Sequence, residues 1–354
     1  MSSGQRNGLA AIVALAVVAF GVWTFWGAQA VANGRQNTVL GELHDVVASD
    51  PVEGSTETST EPDLAPAATD SMAEATTTAT APATLTEDST TEAPTTVAPA
   101  TVAPAPTTEA PTTPDQSPDP EPIPTVATFE VIETIPHDTA AFTQGLEILD
   151  GRIYESTGLV GRSSIRELDL ATGEILRNVA VPDVFAEGLT IVGDTAIQLT
   201  WQDEVAFVYD LKSFEIVNTF SYSGEGWGLC LATGGDGNLV MSDGTSELEF
   251  RDPETFESLG TVDVQLDGSP VANINELECV GSTVWANIWQ SSLIIEIDPS
   301  TGNVITVLDI DSLRPESTEG NSGAVWNGLA YDPGDGTLLV TGKLWPELFR
   351  LELS

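Results

Sequence analysis

Basic residues are scarce in this chain. Lysine and arginine together number 11 against 54 aspartates and glutamates in 354 residues, a formal net charge of -43. Nucleic acid and anionic membrane surfaces are therefore excluded as partners of its surface, because both are bound through clustered Lys and Arg. Strong acidity favours solubility and self-repulsion, which high salt screens. Only two histidines occur, His44 and His137, and only two lysines, Lys212 and Lys343. So few histidines argue against a multi-histidine zinc site and against a Ser-His-Asp triad.

Two cysteines, Cys230 and Cys279, both fall in the foldable part. In an exported chain an even number is read as one disulfide, with two buried free thiols as the alternative. Export is expected from the N-terminus. Residues 8–33 carry no charge, and Leu9 to Trp26 is almost wholly apolar, long enough to cross about 30 Å of hydrocarbon as a helix. Trp23, Phe25 and Trp26 would then lie at the far interface. The segment either stays as a signal anchor, the reading favoured by its length, or is cut after Ala28-Gln29-Ala30.

From about Asp45 to Thr125 the chain is Thr, Pro, Ala, Ser and acidic residues with almost nothing large and apolar. Such a segment cannot offset its ordering entropy by burial and is expected to be an extended, disordered stalk. The organisation expected is thus a cytoplasmic tip and membrane segment over 1–44, a linker over 45–127 and one folded domain over 128–354.

After Val126 short alternating strands are separated by Gly, Asp and Asn turns, with no helical periodicity. Phe185 to Trp201 shows the pattern: a strand, a tight Gly193-Asp194 turn and a returning strand, which brings Glu187 and Trp201 to the same end. Segments opening Gln144-Gly-Leu, Glu187-Gly-Leu, Trp227-Gly-Leu, Asn275-Glu-Leu and Asn327-Gly-Leu repeat it, at spacings of 43, 40, 48 and 52 residues. Asp-centred turns follow at Asp169, Asp210, Asp252 and Asp298. The fifth repeat stops at Leu353 without a fourth strand, and Phe129 to Thr134 can supply it. An all-β, five-bladed β-propeller closed by an N-terminal strand is the expected fold, with a β-sandwich as the alternative.

In a propeller, repeat-equivalent positions form rings about the axis. One ring is Gln144, Glu187, Trp227, Asn275 and Asn327; the other is Gly158, Trp201, Asp243, Trp289 and Lys343. These positions differ from blade to blade while the flanking Gly-Leu persists. That divergence suggests a pocket of apolar walls with a few polar groups. Read blandly, Lys343 forms a salt bridge to Asp243 or Glu187, and Glu187 is an exposed strand-end carboxylate. Read functionally, an acid walled by indoles has a raised pKa and shuttles protons.

At these residues the sequence resembles the plant and bacterial type of glutaminyl-peptide cyclotransferase, five-bladed propeller enzymes that convert N-terminal glutamine to pyroglutamate. The matching blocks include Phe142-Thr-Gln-Gly-Leu146, Glu187-Gly-Leu-Thr190, Gln198-Leu-Thr-Trp201, Glu225-Gly-Trp-Gly-Leu229, Asn275-Glu-Leu-Glu278, Ala286-Asn-Ile-Trp289 and Thr341-Gly-Lys-Leu-Trp-Pro346, over essentially all of 128–354. The resemblance implies Glu187 as the catalytic acid-base and Lys343 as the active-site lysine. It places Phe142, Gln144, Trp201, Trp227, Asn275 and Trp289 in the pocket-lining blocks and Cys230 with Cys279 as a disulfide pair. Peptide or protein N-termini bearing Gln would be the partners. The loop Asp311 to Gly323 departs from the family, and its polar make-up has no sequence-level explanation.

Cyclisation joins the α-amine to the side-chain γ-carbonyl and expels ammonia, so it needs a folded substrate, a proton route and oxyanion stabilisation. No cofactor is required for that, and calcium is left open as a structural ion. Two rival readings remain at this level. One is a calcium-dependent lactonase with Glu187, Asn275, Asn327 and Asp243 as oxygen ligands. The other is a non-enzymatic cell-surface binding propeller.

Overall fold

Antiparallel sheets of four strands follow one another along the chain, all but the last built from consecutive segments. The computed structural model describes residues 38–41, 123–234 and 237–354. The apolar stretch Leu9 to Trp26 and nearly all of the linker lie outside the described residues. Among the described residues no helix is long and apolar enough to cross a membrane.

Blade 1 comprises β3 (Thr143–Leu149), β4 (Arg152–Thr157), β5 (Ser164–Asp169) and β6 (Ile175–Ala180); blade 2 comprises β7 (Ala186–Val192), β8 (Thr195–Thr200), β9 (Val205–Asp210) and β10 (Ile216–Ser221). Blade 3 is β11 (Leu229–Leu231), β12 (Leu239–Ser242), β13 (Glu247–Arg251) and β14 (Ser258–Asp263). A small hairpin, β15 (Gln265–Leu266) with β16 (Ser269–Pro270), leads to blade 4: β17 (Ile274–Val280), β18 (Thr283–Ile288), β19 (Leu293–Ile297) and β20 (Val304–Asp309). Blade 5 has β21 (Trp326–Asp332), β22 (Thr337–Gly342) and β23 (Glu347–Leu353), and its fourth strand is β2 (Phe129–Pro136). β2 pairs antiparallel with β23 from Phe129 opposite Leu353 to Pro136 opposite Glu347. The five-bladed propeller closed by an N-terminal strand is therefore the observed fold.

Burial falls from the axis outward. The first strands β7 and β17 are almost wholly buried, whereas the fourth strands β10 and β14 are exposed along nearly their full length. β20 is the exception, because β1 (Thr125–Ala127) lies parallel against it as a fifth strand. Residues 125–127 were expected in the linker and form this strand. Three residues in Thr/Pro/Ala-rich text carry no measurable alternation, and the strand exists because β20 offers an edge to it. Further upstream, Val39 in the helical turn at 38–41 is buried in the apolar cluster between blades 3 and 4.

The recurring Gly-Leu has a packing cause. A Cβ on Gly188 would lie 2.6 Å from the Trp227 carbonyl oxygen, and one on Gly228 would lie 2.1 Å from that of Asn275. First strands of neighbouring blades thus approach backbone to backbone around the axis. Blade 4 has Glu276 at this place. Its two carboxylate oxygens accept from the Leu146 amide at 3.1 Å and the Leu329 amide at 2.9 Å, so one side chain ties blade 4 to blades 1 and 5. The Cys230 and Cys279 sulfurs are bonded, with Cα atoms 5.5 Å apart, joining β11 to β17.

The Asp311 to Gly323 loop forms two 3-10 turns, Asp311–Leu313 and Glu316–Thr318, with Leu313 and Thr318 buried. Arg314 stacks its guanidinium over Trp326 at 4.7 Å. The loop ends beside Phe142, where a Cβ on Gly323 would lie 3.7 Å from that ring.

Candidate active site

In blades 1, 2, 4 and 5 the first strand is entered through one backbone bond to the end of its hairpin. Gly158 donates to the Phe142 carbonyl at 2.8 Å, Trp201 to Phe185 at 2.9 Å, Trp289 to Asn273 at 2.8 Å and Lys343 to Val325 at 2.8 Å. The repeat therefore sets the members of both rings at one mouth of the channel. What differs most between blades is the side chain each position presents.

At the centre of this mouth the buried Lys343 ammonium donates to Gln144 Oε1 at 2.7 Å, and Gln144 Nε2 donates to Glu187 Oε1 at 3.2 Å. Asn327 Nδ2 donates to the Thr143 carbonyl at 3.0 Å and lies 3.5 Å from Gln144 Oε1. Burial lifts the Glu187 carboxyl well above the usual carboxylate range; the Lys343 charge opposes this and the Glu225 charge adds to it. Glu187 is 6% exposed, which rules out the reading as a solvated strand-end acid.

Aromatic rings run round one side of this centre. Lys343 Nζ sits 4.7 Å over the Phe142 ring, Phe142 meets Phe185 edge-on at 6.0 Å, and Phe185 meets Trp201 at 5.7 Å. Trp227 meets Trp289 edge-on at 5.7 Å. Gly158 has no side chain because the Phe185 ring fills that place: a Cβ there would lie 2.5 Å from it.

A family model described as glutamine cyclotransferase matches residues 100–353. The chain belongs to the glutamine cyclotransferase family. It is 41% identical over 231 residues to a glutaminyl-peptide cyclotransferase of Arabidopsis thaliana, covering 64% of this chain and 71% of that one. It also superposes on the crystal structure of Myxococcus xanthus glutaminyl cyclase with a TM-score of 0.61 and 42% identity, covering 65% of this chain and 98% of that one.

For a cyclotransferase the sequence-expected residues divide clearly. Glu187, Lys343 and Gln144 are joined in one chain of hydrogen bonds, and Phe142, Trp201, Trp227 and Trp289 stand in the aromatic arc. Asn275 is buried at 2% exposure with no hydrogen-bond partner on its Oδ1, while its backbone oxygen accepts from Ser242 Oγ at 2.6 Å. Asp243 instead turns to Thr245, whose amide and hydroxyl it accepts at 3.0 and 2.6 Å.

Two members of the site escaped the sequence reading. Phe185 and Glu225 occupy the position two residues before the ring residue in blades 2 and 3, equivalent to Phe142 in blade 1. Extending the repeat alignment by two residues would have found both. His137 is buried beneath the site. Its ring nitrogens lie 3.1 Å from the Trp345 carbonyl oxygen and 3.0 Å from Glu155 Oε1, and its amide donates to the Pro346 carbonyl at 2.8 Å. Two acceptors call for two N–H donors, and although burial alone would lower the His137 pKa, the Glu155 charge and these bonds raise it. The Thr143 hydroxyl donates to Glu155 at 2.8 Å, so the cluster braces the Lys343 turn against β3 rather than activating a nucleophile.

Proposed function

We propose that this protein is a glutaminyl-peptide cyclotransferase in which Glu187 moves the proton and Lys343 holds the oxyanion. The observation that carries the assignment is the way Gln144 is held. An ammonium can only donate, so the Gln144 oxygen must face Lys343 and its nitrogen must face Glu187. The reacting group of the substrate is the same carboxamide. A substrate glutamine seated likewise would have its side-chain carbonyl oxygen on the cation and its leaving nitrogen on the acid.

In this arrangement Glu187 removes a proton from the substrate ammonium, whose reference pKa is about 8. The freed amine attacks the side-chain carbonyl carbon, Cδ, forming the ring C–N bond, and negative charge gathers on the oxygen facing Lys343. The protonated Glu187 then gives its proton to the amide nitrogen as the old C–N bond breaks and ammonia leaves, and the carboxylate so regenerated takes the extra proton from the ring nitrogen and passes it to the ammonia. A carboxyl raised by burial is closer in pKa to the amine, which eases both transfers. The aromatic arc excludes water and clasps the glutamine methylenes, with Asn275 as a further donor toward the developing charge.

No metal enters this scheme, and calcium is kept as a structural option only. The lactonase reading is disfavoured by the Lys343 charge within the proposed ligand ring and by Asp243 being engaged in its own turn. We also place the domain outside the cytoplasm, attached through Leu9 to Trp26, on the apolar length of that stretch. The test is to incubate the protein with a Gln-initiated dipeptide in EDTA and follow ammonia release and product mass. Absence of product at every pH would remove the cyclotransferase proposal, whereas cyclisation lost only with EDTA would point to the structural calcium.

A further inference from the structure

The aromatic arc is interrupted between blades 2 and 3, and the interruption is spanned by a carboxylate. Glu225 Oε2 accepts from Trp201 Nε1 at 2.7 Å and from Trp227 Nε1 at 3.0 Å, while Oε1 accepts from Gln202 Nε2 at 2.8 Å. Glu225 stands where blades 1 and 2 carry Phe142 and Phe185. Those phenyl rings pass contact to their neighbours by edge-on stacking, which a glutamate cannot do. Instead its one oxygen binds two indole N–H groups from adjacent blades and turns both rings by their polar edges.

We propose that Glu225 is a positioning residue of the active site, holding Trp201 and Trp227 as one wall across the joint between blades 2 and 3 and setting a second negative charge beside Glu187. This rests on the cyclotransferase reading and extends it to a residue that need not touch the reacting atoms. The two indoles otherwise belong to separate blades, and each retains freedom about its own side-chain bonds. Fixing both through one acceptor gives the glutamine side chain a preformed slot. The charge has its own consequence. Glu187 is faced by Lys343 and Gln144 from blades 5 and 1 and by Glu225 from blade 3, with Tyr222 also within its field. Of these, Lys343 favours the ionised form and Glu225 opposes it.

Two variants separate the two roles. In Glu225→Gln the remaining carbonyl oxygen can still accept from both indoles, but the charge is gone. In Glu225→Ala both are gone. For Glu225→Gln the expected result is a KM for a Gln-initiated dipeptide close to the parent and an acid limb of the kcat/KM profile moved to lower pH. For Glu225→Ala the same limb movement should be joined by a KM raised about tenfold, the equivalent of ~1.4 kcal/mol, and by altered tryptophan fluorescence and near-ultraviolet circular dichroism. The spectroscopic readouts need no substrate, so they still report on the indole clamp if the parent protein proves to have no cyclase activity. Folded variants with parental KM, an unmoved acid limb and unchanged indole spectra would overturn the proposal. A lowered melting temperature with none of these changes would reduce Glu225 to a structural residue and overturn it equally.

Discussion

The ammonium of Lys343 donates to the side-chain oxygen of Gln144 at 2.7 Å, although the two residues come from blades 5 and 1. Their meeting depends on closure of the ring, since blade 5 neighbours blade 1 only when β2 has completed the last sheet. Through Gln144 the lysine is connected to Glu187 in blade 2. Three blades therefore contribute to one polar centre, and the remaining two contribute amide and indole groups and the Glu225 carboxylate around it.

Removing either charged member should abolish most turnover. Lys343→Met is expected to lower kcat by about 10²–10³, the usual loss for one oxyanion donor. Glu187→Gln should lower it by about 10²–10⁴ and erase the acid limb of the pH profile, since that limb reports ionisation of a base. Steady-state ammonia release with circular dichroism to verify folding measures both. Full activity in a folded Glu187→Gln variant would refute the proton-shuttle role.

Stability should increase on mild acidification. Glu147, Glu276 and Glu278 are lifted by burial as Glu187 is, Glu147 to about 7. A group whose folded pKa is raised binds more protons folded than unfolded, so its contribution is full below the unfolded value and lost as pH rises through the folded one. His137 has the same sign. Lowering pH from about 8 to about 5 should therefore raise Tm by roughly 4 °C, allowing for solvent screening of groups that line a cavity. Glu155, Asp138 and the turn aspartates such as Asp252 have the opposite sign, and their contribution disappears as pH falls below the usual carboxylate range. A melting curve flat from pH 5 to 8 would contradict this assignment.

A methyl group at the axis should be costly. Gly228→Ala puts a Cβ 2.1 Å from the Asn275 oxygen, and backbone offers no flexible tip to yield. A loss of at least about 1–3 kcal/mol is expected by denaturant unfolding. Gly323→Ala is the matched control. Its Cβ meets nothing closer than 3.5 Å, so its stability should stay within about 0.5 kcal/mol of the parent.

The disulfide should matter for stability and little for chemistry. Cys230 and Cys279 close a loop of 49 residues and line a cavity of about 510 Å³ toward the later ends of the first strands, away from the Glu187 mouth. Replacing both by Ala should cost about 2–4 kcal/mol. Below the lowered melting temperature, KM should remain at the parental value, which a dipeptide assay at two temperatures would check.

Much of this architecture is legible in the sequence because a propeller repeats itself. The Gly-Leu pairs at Gly145, Gly188 and Gly228 mark where backbones touch, and alignment of the repeats sets Glu187 and Lys343 in two rings at one mouth. What is unique to a single blade is harder to read. Glu225 looks like one more acid in a chain with 54 acidic residues, and nothing local announces two indole donors. β1 is too short for alternation and owes its existence to the edge of β20. Gln144 was expected as lining; that it joins the acid to the lysine depends on side-chain reach, which no repeat pattern encodes. The Asp311 to Gly323 loop gains its meaning only from lying against Phe142 and Trp326.

The pairing of β2 with β23 joins residues 129–136 to residues 347–353, so nearly the whole domain lies inside one loop. Loop-closure entropy must be met before that contact yields any stabilisation. A chain that emerges N-terminus first holds β2 without its partner until the last strand has been made. The blades can form in order as they appear, but the contact between Lys343 and Gln144 has to wait for both ends. Catalytic competence is thus expected as the final event of folding, appearing together with closure of the ring rather than accumulating blade by blade.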